Sequence, residues 1–361
     1  MIGNESRGIG SRGSGRRILV VRPDRIGDVV LSTPLIRALR KSFPDAYIAA
    51  LLRTATQEVL FNNPYLDEIV AYDPDGVHSG RSGFWKMVTT LHRSRFDTAL
   101  LLLPNERIAW MLFLAGIPRR IGVGYKLYEM LTLMRTVSRR KYIPLRHEAD
   151  YCLDLGRAIG ARPDGLETEV FLTQEERDTA HRFLQALGVP FDTQKVGIHA
   201  GSGGSSPNWP PEEYAALAAR LIGSDPGVSI VLTGPESERR FAAALESLPK
   251  ERVFPAYVTP PQPIRRLAGI ISHLDLFVSA STGPMHIAAG LGVPTVSLFC
   301  PLPPCSPILW GPQGSVNRII TPDPPHCLTA QSPVDPKQCR FEGIEVKRVA
   351  SAVAELLESH A

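Results

Sequence analysis

An acidic residue placed just beyond the end of a buried strand is a candidate for proton chemistry, and "VVRPDRIGDVVLSTPLIRAL" (20–39) supplies one in Asp28. The apolar run stops at Arg22, a polar loop follows, and Gly27-Asp28 opens a helical pattern. A carboxylate there can take a proton from a substrate hydroxyl as a general base. The same position suits an N-cap, which aspartate favours and which is worth about 1 kcal/mol. The residues alone leave both readings open. Arg22 and Arg25 beside it can hold an anion or solvate the loop, and Asp24 lies between them.

Three later loops offer anion or sugar contacts. In "SASTGPMHIAAGLGVPTVSLF" (279–299) the chain leaves a strand through Ser281-Thr282-Gly283 and starts a helix on Pro284, with His286 one turn in. Amides at a helix start, aided by the dipole, favour an anion by about 0.3–1 kcal/mol. Gly283 brings no Cβ between backbone and ligand. The loop "HAGSGGSSPNWPPEEY" (199–214) can wrap the amides of Gly201 and Ser202 around a phosphate. It lacks the Gly-Lys-Ser/Thr of a P-loop. In "LTGPESERRF" (232–241) Glu238 falls in a first helical turn, where it can accept two ribose hydroxyls or merely complement the dipole.

Positioning these loops is the task of the elements around them. Short apolar runs at 17–21, 46–53, 66–72 and 96–103 alternate with helix-length segments at 28–41, 54–62, 83–95 and 105–115, which reads as βαβ units on a parallel sheet. "RRIGVG" (119–124) offers a further strand, and Pro34 is expected to bend the first helix. Two helices over 147–187, parted by "ARPDG", lead into a second series with strands at 195–201, 228–234, 251–257, 274–280 and 294–299. Helices of this series begin near Pro211, Ser237, Pro263 and Pro284. The proline-rich stretch 301–336 reads as one long irregular loop. The expected fold class is therefore α/β with two Rossmann-like doubly wound domains, 17–175 and 176–343, facing across a cleft. A basic tail (1–16), expected to be disordered, precedes them, and a closing helix (344–361) follows. That helix packs on either domain, including back on the first. Ligands of such sheets bind outside the carboxyl ends of the strands.

The bulk numbers narrow the class. The chain has 361 residues, is 43% hydrophobic and 21% charged, and carries a formal charge of +4. Arg7, Arg12, Arg16 and Arg17 against Glu5 place most of that charge in the tail. A nearly neutral body argues against a nucleic-acid partner. No apolar stretch of membrane-spanning length occurs. With no signal-peptide pattern and few cysteines, the expected location is cytoplasmic, with peripheral contact at the inner membrane compatible with the tail. Cys300, Cys305, Cys327 and Cys339 lack metal-ligand spacing, so no metal is expected.

Taken together, "ILVVRPDRIGDVVLSTPLIRALR" (18–40) and "STGPMHIAAGLGVPTVSLF" (281–299) resemble the ADP-heptose:lipopolysaccharide heptosyltransferases, glycosyltransferase family 9. The resemblance runs along the whole chain from residue 17. It implies a GT-B fold, no metal cofactor, a nucleotide-sugar donor on the C-terminal domain and a lipopolysaccharide core or similar glycan acceptor on the N-terminal one. The implied activity is inverting transfer of heptose or a related sugar, with Asp28 as base. The implied donor-binding residues are Asp24, Arg25, Gly201, Ser202, Glu238, Ser281, Thr282, Gly283 and His286. Two departures touch donor handling. The family's lysine two residues before the tryptophan is absent, since Pro207-Asn208 precedes Trp209, and Ser281 stands where the family commonly has aspartate. Those losses motivate the alternative of a catalytically weak or silent nucleotide-sugar-binding member.

Overall fold

The computed structural model describes residues 15–138, 143–202, 204, 206–235, 248–314, 316–322 and 341–359. Two parallel sheets organise the chain. The first holds β1 (Arg17–Arg22), β2 (Tyr47–Arg53), β3 (Glu68–Tyr72), β4 (Thr98–Leu101), β5 (Arg119–Val123) and β6 (Arg135–Val137) in the order 3-2-1-4-5-6. The second holds β7 (Gln194–His199), β8 (Val228–Pro235), β9 (Val253–Val258), β10 (Leu276–Ala280), β11 (Thr295–Leu298) and β12 (Asn317–Ile320). Its order, 12-11-10-7-8-9, is the same winding seen from the other edge. Central strands such as Ile18–Val21 and Leu276–Ala280 are unbroken apolar or small runs because helices cover both of their faces.

A winding of this kind reverses direction at one point, between β1 and β4 in the first sheet and between β7 and β10 in the second. The loops leaving the carboxyl ends of those strands diverge there and leave a crevice. Three of the chemically rich loops follow β1, β7 and β10, so topology gathers them.

Around the sheets lie α1 (Ile26–Val30), α2 (Thr33–Ser42), α3 (Gly80–Ser94), α4 (Glu106–Leu114), α5 (Leu127–Leu131), α6 (Glu148–Arg157) and α7 (Gln174–Ala186). They are followed by α8 (Pro211–Ser224), α9 (Pro263–Ile271), α10 (Gly283–Gly290), α11 (Pro307–Trp310) and α12 (Val346–Glu358). The first helix expected from the pattern is two. Leu31 ends α1, Ser32 precedes α2, and Pro34 sits in the first turn of α2, where its missing N–H costs nothing. The hydroxyls of Ser32 and Thr33 donate to Val29 O and Val30 O, and the second of these carbonyls is the one that Pro34, with no N–H, leaves without a helical donor. The segment 54–62 makes only a 3₁₀ turn at Gln57–Leu60. The stretch 301–336 is less irregular than expected, since it contains α11 and the edge strand β12.

The domains share a core. One buried cluster joins Ile18, Val20 and Ile36 to Phe254, Ile287 and Val293. Glu58 of the first domain accepts from the amides of Ile264 and Arg265 at the start of α9, and His147 donates from Nε2 to Gly311 O at 2.9 Å. The connection 158–173 is laced to both sides: Glu169 N donates to Thr33 Oγ1, and Val170 N to Gly290 O. The closing helix α12 packs on α8 and the second sheet, through Val349, Val353 and Leu356. It does not fold back onto the first domain, because its apolar face completes the core beside Leu217 and Leu221.

Candidate active site

At the meeting of the two crevices the starts of α1 and α10 abut. Gly27 lies against the His286 ring, so that a Cβ there would sit 2.7 Å from His286 Cδ2. A Cβ on Gly283 would sit 2.7 Å from Ile26 Cβ. Two glycines thus allow two helix starts, one from each domain, to approach to backbone distance. The sequence reading of Gly283 as clearance for a ligand is refined by this contact: its missing Cβ first makes room for Ile26.

Beside this junction is a cavity of about 120 Å³. Arg25, Gly27 and Asp28 line it from the first domain, and Ser281, Thr282, Gly283 and His286 from the second. Ser206 and Pro207 close a third side, and Cys300, Pro304, Cys305 and Trp310 a fourth. A larger cavity, about 1,150 Å³, opens elsewhere between the domains around α7 and α9. None of the described residues singled out by sequence lines it, and its buried Arg265 is paired with Glu176.

Asp28 lies in the first turn of α1, whose N-cap is Arg25, so the aspartate is not a helix cap. Its Oδ1 accepts from Arg22 Nη2 at 2.6 Å, while 18% of the side chain stays accessible on the cavity wall. Arg22 itself is sealed. Its guanidinium also contacts Asp24 at 3.1 Å and donates from Nη1 and Nη2 to Glu148 Oε1 at 3.0 Å each. Burial opposes the charge on Arg22, but the carboxylates of Asp24 and Asp28 outweigh it and raise its pKa. Three carboxylates therefore hold one cation, and that cation holds Asp28 in a fixed pose. Arg22 is not available to a bound anion, and the Asp24 carboxylate turns toward Arg22 rather than lining the cavity. Arg25 is exposed on the cavity rim and pairs with no carboxylate among the described residues.

Across the cavity, Thr282 is the N-cap of α10 but makes no side-chain cap bond. Its buried Oγ1 has no hydrogen-bond partner, and neither does buried His286 Nδ1. Two orphaned polar atoms on one wall are unusual, since each costs about 1–3 kcal/mol when left unmade. Pro284 removes one amide from the first turn, leaving those of Gly283 and Met285 without helical acceptors. Burial, reinforced by nearby His147, pushes the His286 pKa down to about 3 against the pull of Asp28. Its imidazole is neutral at physiological pH, so it can contact a ligand but carries no charge to it.

The remaining candidates divide. Gly201 and Ser202 do not line the cavity; Ser202 Oγ instead donates to Ser206 O at 3.1 Å and accepts from Gly204 N, closing the loop on itself. That turn presents Ser206 and Pro207 in their place. Asn208 ties the loop to Ala200 O, accepts from Tyr214 Oη, and so seats buried Trp209 edge-on to Tyr214. Glu238, Cys327 and Cys339 lie outside the described residues. Glu148 and the 300–310 wall were not picked out by sequence. Glu148 had a signal, an acid in the first turn of a helix carrying buried Cys152, but its partner lies 126 positions away.

The family model for glycosyltransferase family 9 (heptosyltransferase) matches residues 84–338. Lipopolysaccharide heptosyltransferase 2 of Escherichia coli is 27% identical over 318 residues, 84% of this chain and 88% of that one. Among solved structures, a glycosyl transferase family 9 protein of Veillonella parvula superposes with a TM-score of 0.78 at 23% identity, covering 95% of this chain and 97% of that one. The E. coli ADP-heptose lps heptosyltransferase II gives 0.75 at 21% identity, covering 95% and 99%. With its two sheets wound alike and matched along nearly their whole length, this chain belongs to glycosyltransferase family 9 and is a glycosyl-transferring enzyme of the GT-B fold.

Proposed function

We propose that the enzyme transfers heptose, with inversion, from an ADP-linked donor to a hydroxyl of a lipopolysaccharide core or similar glycan. The single observation carrying this reading is the opposition across one cavity of a fixed, accessible carboxylate, Asp28, and a wall of unsatisfied donors around Thr282, Gly283 and His286. The donor class is taken from the E. coli relatives, whose names specify heptosyl transfer and ADP-heptose.

In this reading the acceptor hydroxyl sits against Asp28. The carboxylate takes its proton as the oxygen attacks the anomeric carbon, and the bond from that carbon to the diphosphate breaks on the opposite face. The leaving diphosphate gains negative charge, which the first-turn amides of α10, Thr282 Oγ1 and Arg25 are placed to meet. These are all protein groups, and the step as proposed uses no metal ion. Asp24 acts through Arg22 as a positioning residue, not as a donor contact. A cavity of about 120 Å³ accommodates only the reacting centre, well under the roughly 300–1,000 Å³ of a full small-molecule site. The nucleotide and the acceptor glycan extend out of it along the cleft.

Asp28→Asn tests the reading, because it keeps the shape and the acceptor oxygen for Arg22 while removing the base. The transfer rate at saturating donor and acceptor falls by about 10²–10⁴-fold. A rate within a few-fold of wild type means Asp28 is not the base.

A further inference from the structure

The helix α5 is inside out. It buries its one carboxylate, Glu129, whose Oε2 accepts from Lys126 N at 2.7 Å, and it turns Leu127, Met130 and Leu131 to solvent at 51–68% exposure. Tyr125 before it and Leu133 after it are 72% and 74% exposed, and Ile143, just beyond the end of β6, is 75% exposed. Isolated apolar side chains on a surface need no explanation, but a contiguous run of this kind marks a contact surface.

The charges in the same stretch are one-sided. Residues 125–146 contain six basic residues (Lys126, Arg135, Arg139, Arg140, Lys141 and Arg146) against one acidic residue, the buried Glu129. Lys126 and Arg135 are exposed beside the apolar side chains. Arg146 is spent on Asp150 and Asp154, and without it the stretch still carries a net of +4, equal to that of the entire chain, so the near-neutral sequence conceals a local run of positive charge.

Place in the fold supplies the last part of the argument. The first sheet is parallel throughout, so the chain leaving β5 toward α5 emerges on the same edge as the chain leaving β1 toward Asp28. β5 stands two strands from β1, about 10 Å along the sheet. We propose that this apolar and basic surface, α5 with the end of β6, docks the enzyme onto an anionic lipid bilayer. Leucine, methionine and tyrosine side chains enter the headgroup boundary while lysine and arginine meet the lipid phosphates. The docked face adjoins the cleft edge that carries Asp28, which suits a lipid-borne acceptor. In that respect alone the inference rests on the acceptor proposed above. It also moves the membrane contact from the N-terminal tail to the body of the first domain.

Flotation of the full-length protein with vesicles tests this without donor, acceptor or turnover. Wild type floats with vesicles of equal parts phosphatidylglycerol and phosphatidylcholine and not with phosphatidylcholine alone. Lys126→Gln with Arg135→Gln lowers the partition coefficient by about fivefold for each cation removed. A separate Leu127→Ser, Met130→Ser, Leu131→Ser variant lowers it at least tenfold. All five side chains are exposed, so the melting temperature of either variant stays that of wild type, and both transfer to a water-soluble, delipidated acceptor at the wild-type rate. The proposal is overturned if wild type ignores the anionic vesicles, or if both surface variants float like wild type. It is equally overturned if binding is lost instead on Arg7→Gln with Arg12→Gln. A wild-type dimer in sedimentation velocity that the serine variant dissociates would assign the surface to a second copy of the chain. Failure of Asp28→Asn to slow transfer would sink the catalytic reading and leave the flotation result standing.

Discussion

His286 and His199 are buried, and loss of hydration pushes their pKa values down to about 3 and about 4. Unfolded, each returns to about 6.5. Between these values the unfolded chain binds protons that the folded chain refuses, so stability is complete above about pH 6.5 and is lost as pH falls toward the folded values. At pH 5 the loss is about 2 kcal/mol for each histidine. Urea denaturation at pH 7 and pH 5 measures it, and His286→Gln is expected to shrink the difference by about that amount. Equal stability of wild type at both pH values would show that these imidazoles are not held neutral inside. Arg25 makes a different prediction. The loop before Trp209 has no lysine, and Arg22 is consumed by Asp24, Asp28 and Glu148, which among the described residues leaves Arg25 as the cation at the cavity. Arg25→Ala should raise the donor KM about tenfold and leave donor-independent properties such as the melting temperature alone, as expected for a charge-assisted hydrogen bond worth roughly 1.5 kcal/mol. An unchanged KM would remove Arg25 from the diphosphate site. Which arginine serves was not readable from sequence: Arg22 and Arg25 are three positions apart, and only the long-range contact with Glu148 separates their roles.

At the scale of elements, the site depends on the abutment of α1 and α10. Gly27→Ala and Gly283→Ala each place a methyl group 2.7 Å from a neighbouring carbon, so the helix starts must part. Overpacking of this sort costs about 1–3 kcal/mol. Because both substitutions strain the same junction, the double variant should cost clearly less than the sum, and a double-mutant cycle by denaturant titration measures the coupling. Strict additivity would mean that the two contacts are independent. The sequence conveyed these elements unevenly. Strands β1 and β10 were legible as apolar runs, and α10 as a proline-started helix. The break between α1 and α2 was not, because Pro34 in a first turn and Pro34 inside a helix look alike until Ser32 and Thr33 are seen to take the Val29 and Val30 carbonyls. β6 and β12 escaped notice because three or four residues at a sheet edge, with Arg135 and Arg318 among them, show little apolar patterning.

For the whole molecule, the alternation of strands and helices announced two doubly wound domains, and the repeated winding follows from right-handed crossovers on parallel strands. What the pattern could not convey was how the halves meet. Contacts such as Glu58 with the start of α9, or His147 with Gly311, join residues more than 160 positions apart and leave no local trace. The same holds for α12, whose apolar stripe would fit either domain and whose place is decided by α8. The measurement that bears most directly on the central claim is a crystal structure of the enzyme with ADP. The diphosphate is expected within hydrogen-bonding distance of the Gly283 amide and Thr282 Oγ1, with Asp28 facing it across the cleft and still tied to Arg22. A diphosphate bound away from the start of α10, or Asp28 rotated out of the cavity in that complex, would contradict the account.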